Sequence, residues 1–324
     1  MVDRFFEREG SGWDVRRWCI LRFVVRLPYF KKIMENQAYR LVMDCPDKRG
    51  VVARVSSRIA ELGGTILGAH QHSDADTGHF FMRYEVARDI QADSMHPWGL
   101  KPLEAGLSEL GHELQLTIQI SSLDHRPRVA LLATKASHCL VDVLQRWRSG
   151  ELQCEVACVI ANHREMQEYA AWYGVPFHFV DFNALGKNQA FGRVGELLLE
   201  YEVELTVLAR FMQIFPEELI AQHAGKIINI HHSFLPSFAG ARPYDQAYQR
   251  GVKLIGATCH YVTAELDAGP IIEQEVIRIS HTDMPSDLRR KGRMCEREAL
   301  ARGLRLHLEG RVFIHGNKTV VFSD

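Results

Sequence analysis

No Cys-x-x-Cys pair occurs in this 324-residue chain. The seven cysteines stand at irregular positions (19, 45, 139, 154, 158, 259 and 295), which excludes a zinc ribbon and a thioredoxin-like redox motif. An odd number of scattered thiols, in a chain long enough to build large cores, reads as buried, reduced side chains of a cytoplasmic protein and not as a disulfide scaffold. An excess of charge is lacking too. Lys plus Arg number 39 and Asp plus Glu 40, for a formal net charge of −1, so no global attraction to nucleic acid or to an anionic membrane is expected. No run of about 20 apolar residues is present to cross a bilayer. Internal repeats and low-complexity tracts are also missing. What is present is ordinary globular composition, 46% hydrophobic and 24% charged, at a length that suggests two domains.

The first 37 residues stand apart. Arg22, Arg26 and Pro28 interrupt the apolar stretch from Trp18 to Phe30, which excludes the unbroken core of a secretory signal. Asp3, Glu7, Glu9 and Asp14 sit badly with an acidic-poor transit peptide. Residues 1–37 read as a poorly ordered extension, or translation starts at Met34 and residues 1–33 lie upstream of it.

From residue 38 the periodicities become legible. Tyr39 to Met43 reads as a strand bounded by the turn Cys45-Pro-Asp-Lys-Arg-Gly50. Val52, Val55, Ile59 and Leu62 share one helical face, and Gly63-Gly64 ends that helix. Thr65 to Ser73 and His79 to Val86 form a hairpin across Asp74 to Gly78. A helix near Leu103 to Leu110 and a strand from Leu114 to Ile120 follow. The sum is β-α-β-β-α-β over residues 38–120, a ferredoxin-like arrangement. The polar, aperiodic stretch 121–128 reads as a linker. Residues 129–324 then alternate short apolar strands with helices. That pattern predicts a Rossmann-like α/β domain with a mainly parallel sheet, whose ligands sit outside the carboxyl ends of the strands. Leu254 to Thr263 and Pro270 to Ile279 read as longer strands before a helix from Pro285 to Leu308, with a closing pair near Val312 and Val320.

Two polar motifs stand at strand ends in this second region. In Asn229-Ile-His-His-Ser-Phe-Leu-Pro-Ser-Phe238, Asn229 and His231 are two residues apart and face one side of a strand. In His260-Tyr-Val-Thr-Ala-Glu-Leu-Asp-Ala-Gly-Pro270, Asp267 precedes a Gly-Pro turn. An amide, an imidazole and a carboxylate are the minimum set for activating water and stabilising an oxyanion. Each motif alone is more often a turn or a hydrogen-bonded structural pair; together they point to a site. Partial burial is expected to raise the pKa of Asp267. His231, His232, His260 and Asp267 could ligate zinc by residue type. Adjacent strand histidines face opposite ways, however, and no helical His pair supports them, so no metal is expected.

These motifs, with Gly251-Val-Lys-Leu-Ile-Gly-Ala-Thr-Cys-His-Tyr-Val-Thr263 and Leu266-Asp-Ala-Gly-Pro-Ile-Ile272, resemble the folate-dependent formyltransferase family, and within it the deformylase branch. The segment 38–120, with Asp44-Cys-Pro-Asp-Lys-Arg-Gly50, resembles an ACT domain. The resemblance implies hydrolysis of 10-formyltetrahydrofolate, as substrate and not as a permanently bound cofactor, to formate and tetrahydrofolate. It implies Asn229, His231 and Asp267 as catalytic residues and His260 as an accessory. Ala209-Arg-Phe-Met-Gln-Ile-Phe215 resembles the family segment lining the pterin pocket, which makes Phe211, Met212 and Ile214 the candidates for substrate contact. The ACT likeness implies a homo-oligomer and an amino-acid effector near Asp47, Gly50 and Gly63.

Two local departures favour water as acceptor. Thr134-Lys-Ala-Ser-His138 lacks the glycines of the transferases' phosphate loop, and His232 stands where they commonly carry proline. A transferase with an amine acceptor, and a non-enzymatic amino-acid sensor, remain the competing readings. The basic run Arg289-Arg-Lys-Gly-Arg293 reads as a solvated helix face.

Overall fold

A computed structural model describes residues 38–89, 97–236 and 243–323; the extension 1–37 lies outside them. The chain divides into two compact units between Asp124 and His125.

In the first unit, strands β1 (Ala38–Pro46), β2 (Gly64–Asp74), β3 (His79–Arg88) and β4 (Thr117–Ser122) form an antiparallel sheet in the order β2-β3-β1-β4. Helices α1 (Val51–Glu61) and α2 (Leu100–Leu114) supply the other half of the core. Val51, Val55 and Ile59 recur every fourth residue on α1, and Leu103, Leu107, Leu110 and Leu114 follow at spacings of four, three and four on α2. These stripes pack with Leu41, Met43 and Tyr84. Burying each such side chain contributes about 1.5–3 kcal/mol. The observed order is the predicted β-α-β-β-α-β.

Two boundaries differ from expectation. The strand predicted from Leu114 begins at Thr117, because Gln115 turns left-handed (φ 56) and Leu116 N–H reaches back to the Gly111 carbonyl, 2.8 Å away. The stretch predicted as a linker, 121–128, is partly strand. Ser121 and Ser122 pair with Arg40 and Tyr39, and Arg128 opens the next sheet. Ladder hydrogen bonds override the polar composition there.

The second unit is built on a seven-stranded sheet in the order β11-β10-β9-β8-β5-β6-β7. β5 (Arg128–Ala133), β6 (Glu155–Ala161), β7 (Phe177–Phe179), β8 (Leu205–Leu208) and β9 (Ile227–His231) run parallel. β10 (Leu254–Tyr261) and β11 (Ile271–Arg278) complete the sheet antiparallel. The intervening helices are α3 (His138–Arg148), α4 (Gln167–Tyr173), α5 (Phe182–Leu185), α6 (Lys187–Glu200), α7 (Glu217–Gln222) and α8 (Pro243–Arg250). Alternation along β5 sends Val129, Leu131 and Ala133 into one core and Ala130 and Leu132 into another, so the sheet is covered on both faces. The long helix α9 (Pro285–Leu308) packs its buried stripe on the first of these cores, and a small hairpin, β12 (Val312–His315) with β13 (Lys318–Val321), follows it.

Chain order reverses at β5: β6 lies on one side of it and β8 on the other. Loops after β5 and β8 therefore diverge and open a crevice at their carboxyl ends. The segments that follow β8 and β9 line the site described next.

Candidate active site

Asn229 and His231 leave β9 on the same side of the strand. β10 runs antiparallel beside them and places His260 directly opposite Asn229. A register shift between Cys259 and His260 marks a bulge, a feature that re-aims side chains. The loop 262–270 closes where Tyr261 N–H donates to the Pro270 carbonyl (2.9 Å). Asp267 occupies its turn at φ 56, a left-handed conformation that Asp tolerates better than most residues. Only glycine fits at 269, where a Cβ would collide with the Tyr261 carbonyl oxygen.

These elements bring all four polar side chains predicted for the site together. His231 Nδ1 lies 3.2 Å from Asp267 Oδ1, and His260 Nε2 lies 3.9 Å from the same oxygen. Asn229 Nδ2 stands 3.2 Å from His260 Nε2. The tautomer of His260 follows from its other nitrogen. Nδ1 is 2.9 Å from the Tyr261 carbonyl oxygen, which can only accept, so Nδ1 carries the proton and Nε2 accepts from the Asn229 amide. Burial lowers the pKa of His260, keeping the ring neutral. One Asn229 N–H is thereby fixed and the second remains available.

Asp267 overturns one expectation. The hydrogen bond from His231 holds its carboxyl below the ordinary carboxylate value and outweighs burial, which alone would raise it. Asp267 is therefore an anion at neutral pH. The sign for stability follows: the contribution of this carboxylate is complete above the unfolded-state pKa of about 3.9 and is lost as pH falls through the lower folded value. A ¹³C NMR titration of the Asp267 carboxyl should give a midpoint below that of a free aspartate; a midpoint above it would restore the raised-pKa view.

A cavity of about 450 Å³ opens over these groups, within the range typical of small-molecule sites. Its walls include residues 210–215 after β8 and residues 262–264, 266 and 267 before β11. Met212 N–H donates to Thr134 Oγ1 (2.9 Å), which ties the wall to the end of β5 across the crevice. Of the three apolar side chains predicted to contact substrate, Met212 and Ile214 are exposed at 56% and 55%. Phe211 also lines the cavity but is buried, edge-on to Phe182 (5.9 Å) and Phe215 (6.1 Å), so it serves the core as well. His231 Nε2 is buried and, among the described residues, without a hydrogen-bond partner, as expected of an atom that awaits a ligand.

Comparison with known proteins matches residues 127–304 to the Formyl transferase family and residues 39–95 to the ACT domain family. A formyltetrahydrofolate deformylase from Synechocystis is 45% identical over 294 residues, which are 90% of this chain and 100% of that protein. The crystal structure of a formyltetrahydrofolate deformylase from Pseudomonas syringae pv. tomato superposes with a TM-score of 0.87 at 45% identity. The match covers 94% of this chain and all of the other. The chain belongs to the formyltetrahydrofolate deformylase family. By contrast, a glycinamide ribonucleotide transformylase from Symbiobacterium toebii matches at 32% identity and a TM-score of 0.60, over 62% of this chain.

For a member of the deformylase family the effector residues predicted in the first unit are only partly collected. Asp47 and Gly50 (φ 88) precede α1, while Gly63 (φ 77) follows it. Eleven helical residues separate them, about 16 Å, so Gly63 does not join the other two in one loop.

A second buried cluster beside the cavity carries no motif that marks it as a site. Glu296 on α9 accepts from Tyr244 Oη (2.6 Å) and pairs with His138 Nε2 (2.7 Å); Arg210 Nε lies 3.3 Å from it. Burial pushes the Glu296 carboxyl up, but the His138 hydrogen bond and the Arg210 charge bring it below its ordinary value. His232 on the cavity wall is driven down to about 4 by burial and by Arg210. The available sequence signal was a charged residue on the buried stripe of α9, between Cys295 and Ala299. Ligand-type atoms of His138, Cys139 and Glu296 lie within 4.8 Å of one another. Arg210 already supplies Glu296 with a cation, however, and burial keeps the Cys139 thiol protonated, so the arrangement fits an ion-pair cluster better than a metal site.

Proposed function

We propose that this chain hydrolyses 10-formyltetrahydrofolate to formate and tetrahydrofolate, with Asn229, His231 and Asp267 as catalytic residues and His260 as the group that orients Asn229. The observation carrying this reading is the convergence of amide, imidazole and ionised carboxylate on one open cavity, in a chain of the deformylase family.

Water attacks the formyl carbon, and as the new C–O bond forms one water proton passes to Asp267. The carbonyl oxygen becomes negative and meets the free Asn229 N–H. Held beside Asp267 through Nδ1, His231 offers its partnerless Nε2 edge as the second donor to that oxygen. Donors of this kind contribute about 2.7–4 kcal/mol each. Collapse breaks the C–N10 bond, and the proton held by Asp267 transfers to N10 as tetrahydrofolate leaves. The formic acid left behind loses its proton to solvent as formate.

Met212 and Ile214, apolar and exposed on the cavity wall, are proposed to contact the pterin. The proposed role is to supply formate for purine synthesis and to balance the one-carbon folate pool. The reading includes a cytoplasmic homo-oligomer, with an amino-acid effector at the ACT domain near Asp47 and Gly50. Six described cysteines are free and buried, as suits a reducing compartment. The deciding assay is formate release from 10-formyltetrahydrofolate with no amine added. Release at catalytic rates is expected; release only on addition of an amine acceptor would make the chain a transferase.

A further inference from the structure

Once formic acid has lost its proton, formate is an anion in the same cavity as the Asp267 carboxylate, and like charges repel. The cavity wall must offset this, and its composition limits how. Among the described residues that line it, Arg210 is the only Arg or Lys. His232 and His260 are both lowered by burial and stay neutral at physiological pH.

Arg210 is also held in an uncommon way. It follows β8 at φ 66, a left-handed conformation that a long side chain adopts only when its surroundings fix it. Its Nε lies 3.3 Å from Glu296 Oε2, an ion pair in which that buried Nε makes no hydrogen bond among the described residues. Glu296 is itself clamped by Tyr244 Oη at 2.6 Å and His138 Nε2 at 2.7 Å, and its side chain is 2% exposed. The guanidinium is thus held beside a buried acid by charge. The Nη donors have no hydrogen-bond partner among the described residues, and the side chain keeps 16% exposure. The planar donors of a guanidinium on the cavity wall match the two oxygens of a small carboxylate.

We propose that Arg210, positioned by Glu296, is the binding residue for the formate released in the reaction. This rests on the hydrolytic reading above and adds to it a product site. A folate also carries carboxylates, on its glutamate tail, so the ligand chemistry has two sources. The tail must reach solvent, where Met212 and Leu266 form an exposed rim. Arg210 lies instead against the buried side of the cavity, on Glu296, and this favours the small anion.

The test reads binding, so it stands apart from turnover. Line broadening of ¹³C-formate is titrated with the full-length unmodified protein, with Arg210→Lys and with Arg210→Met, each checked for folding by circular dichroism. The expected result is formate binding to the unmodified protein that weakens about ten- to hundredfold in Arg210→Met. Arg210→Lys, which keeps the charge without the planar fork, should fall between, and it decides the matter if the Met variant does not fold. In parallel, tetrahydrofolate and tetrahydropteroate, which lacks the glutamate, should keep the same affinity ratio in every variant. No formate binding to the unmodified protein, or equal binding in the folded variants, overturns the proposal. So does a selective loss of tetrahydrofolate affinity, which would assign Arg210 to the tail. Failure of the formate-release assay, with formate still bound at Arg210, would instead count against the hydrolytic reading.

Discussion

Replacing Asp267 by Asn should lower kcat by about 10²–10⁴-fold, the usual span for loss of a positioned general base, while tetrahydrofolate still binds. The substitution suits the question because it changes little else. Asn is nearly isosteric and, like Asp, tolerates the left-handed backbone at φ 56, and its amide oxygen can still accept from His231 Nδ1, 3.2 Å away. What is removed is the negative charge and the ability to take a proton from water. KM should move by no more than a few fold, since the apolar wall at Met212 and Ile214 is untouched. The low pKa of this carboxyl sharpens the expectation. A group held below its ordinary value is a modest base in the resting site, so its contribution must come from position, and an amide cannot supply that contribution. A kcat within tenfold of the unmodified protein would remove Asp267 from the chemistry.

Much of this arrangement was legible in the chain, for reasons that differ from element to element. The helix expected over Pro285–Leu308 has those bounds in the structure, because a long amphipathic helix carries a clear pattern. Asn229 and His231 could be paired from strand period alone, and their antiparallel neighbour β10 brought in His260. Sequence and structure part where one physical term must be weighed against another. Alternation at Leu114 to Ile120 resembled a strand throughout, yet the helix ran on to Leu114 because that leucine completes the apolar stripe of α2. Burial of Asp267 suggested a raised pKa, yet one hydrogen bond outweighed it. The cluster of His138, Arg210, Tyr244 and Glu296 was invisible for a different reason. Its members come from the start of α3, the segment after β8, the start of α8 and the middle of α9, with His138 and Glu296 158 residues apart, and no local periodicity encodes a contact of that range.

The hydrogen bond between Asn229 and His260 makes a second large effect predictable. Asn229→Ala should lower kcat by about 10²–10³-fold, the cost of one oxyanion donor, with KM little changed, because the lost interaction forms only as charge develops on the formyl oxygen. The same change strands His260. Its Nε2 is buried and accepts from Asn229 Nδ2 at 3.2 Å, so truncation leaves an acceptor without a donor at a cost of about 1–3 kcal/mol in stability. The two losses can be told apart. Asn229→Asp keeps the size and removes the amide donor, so kcat should still fall, now with a carboxylate facing the developing oxyanion and a second acid beside Asp267. If Asn229→Ala lost stability but retained kcat within a few fold, the residue would be a structural partner of His260 and the oxyanion would rest on His231 alone.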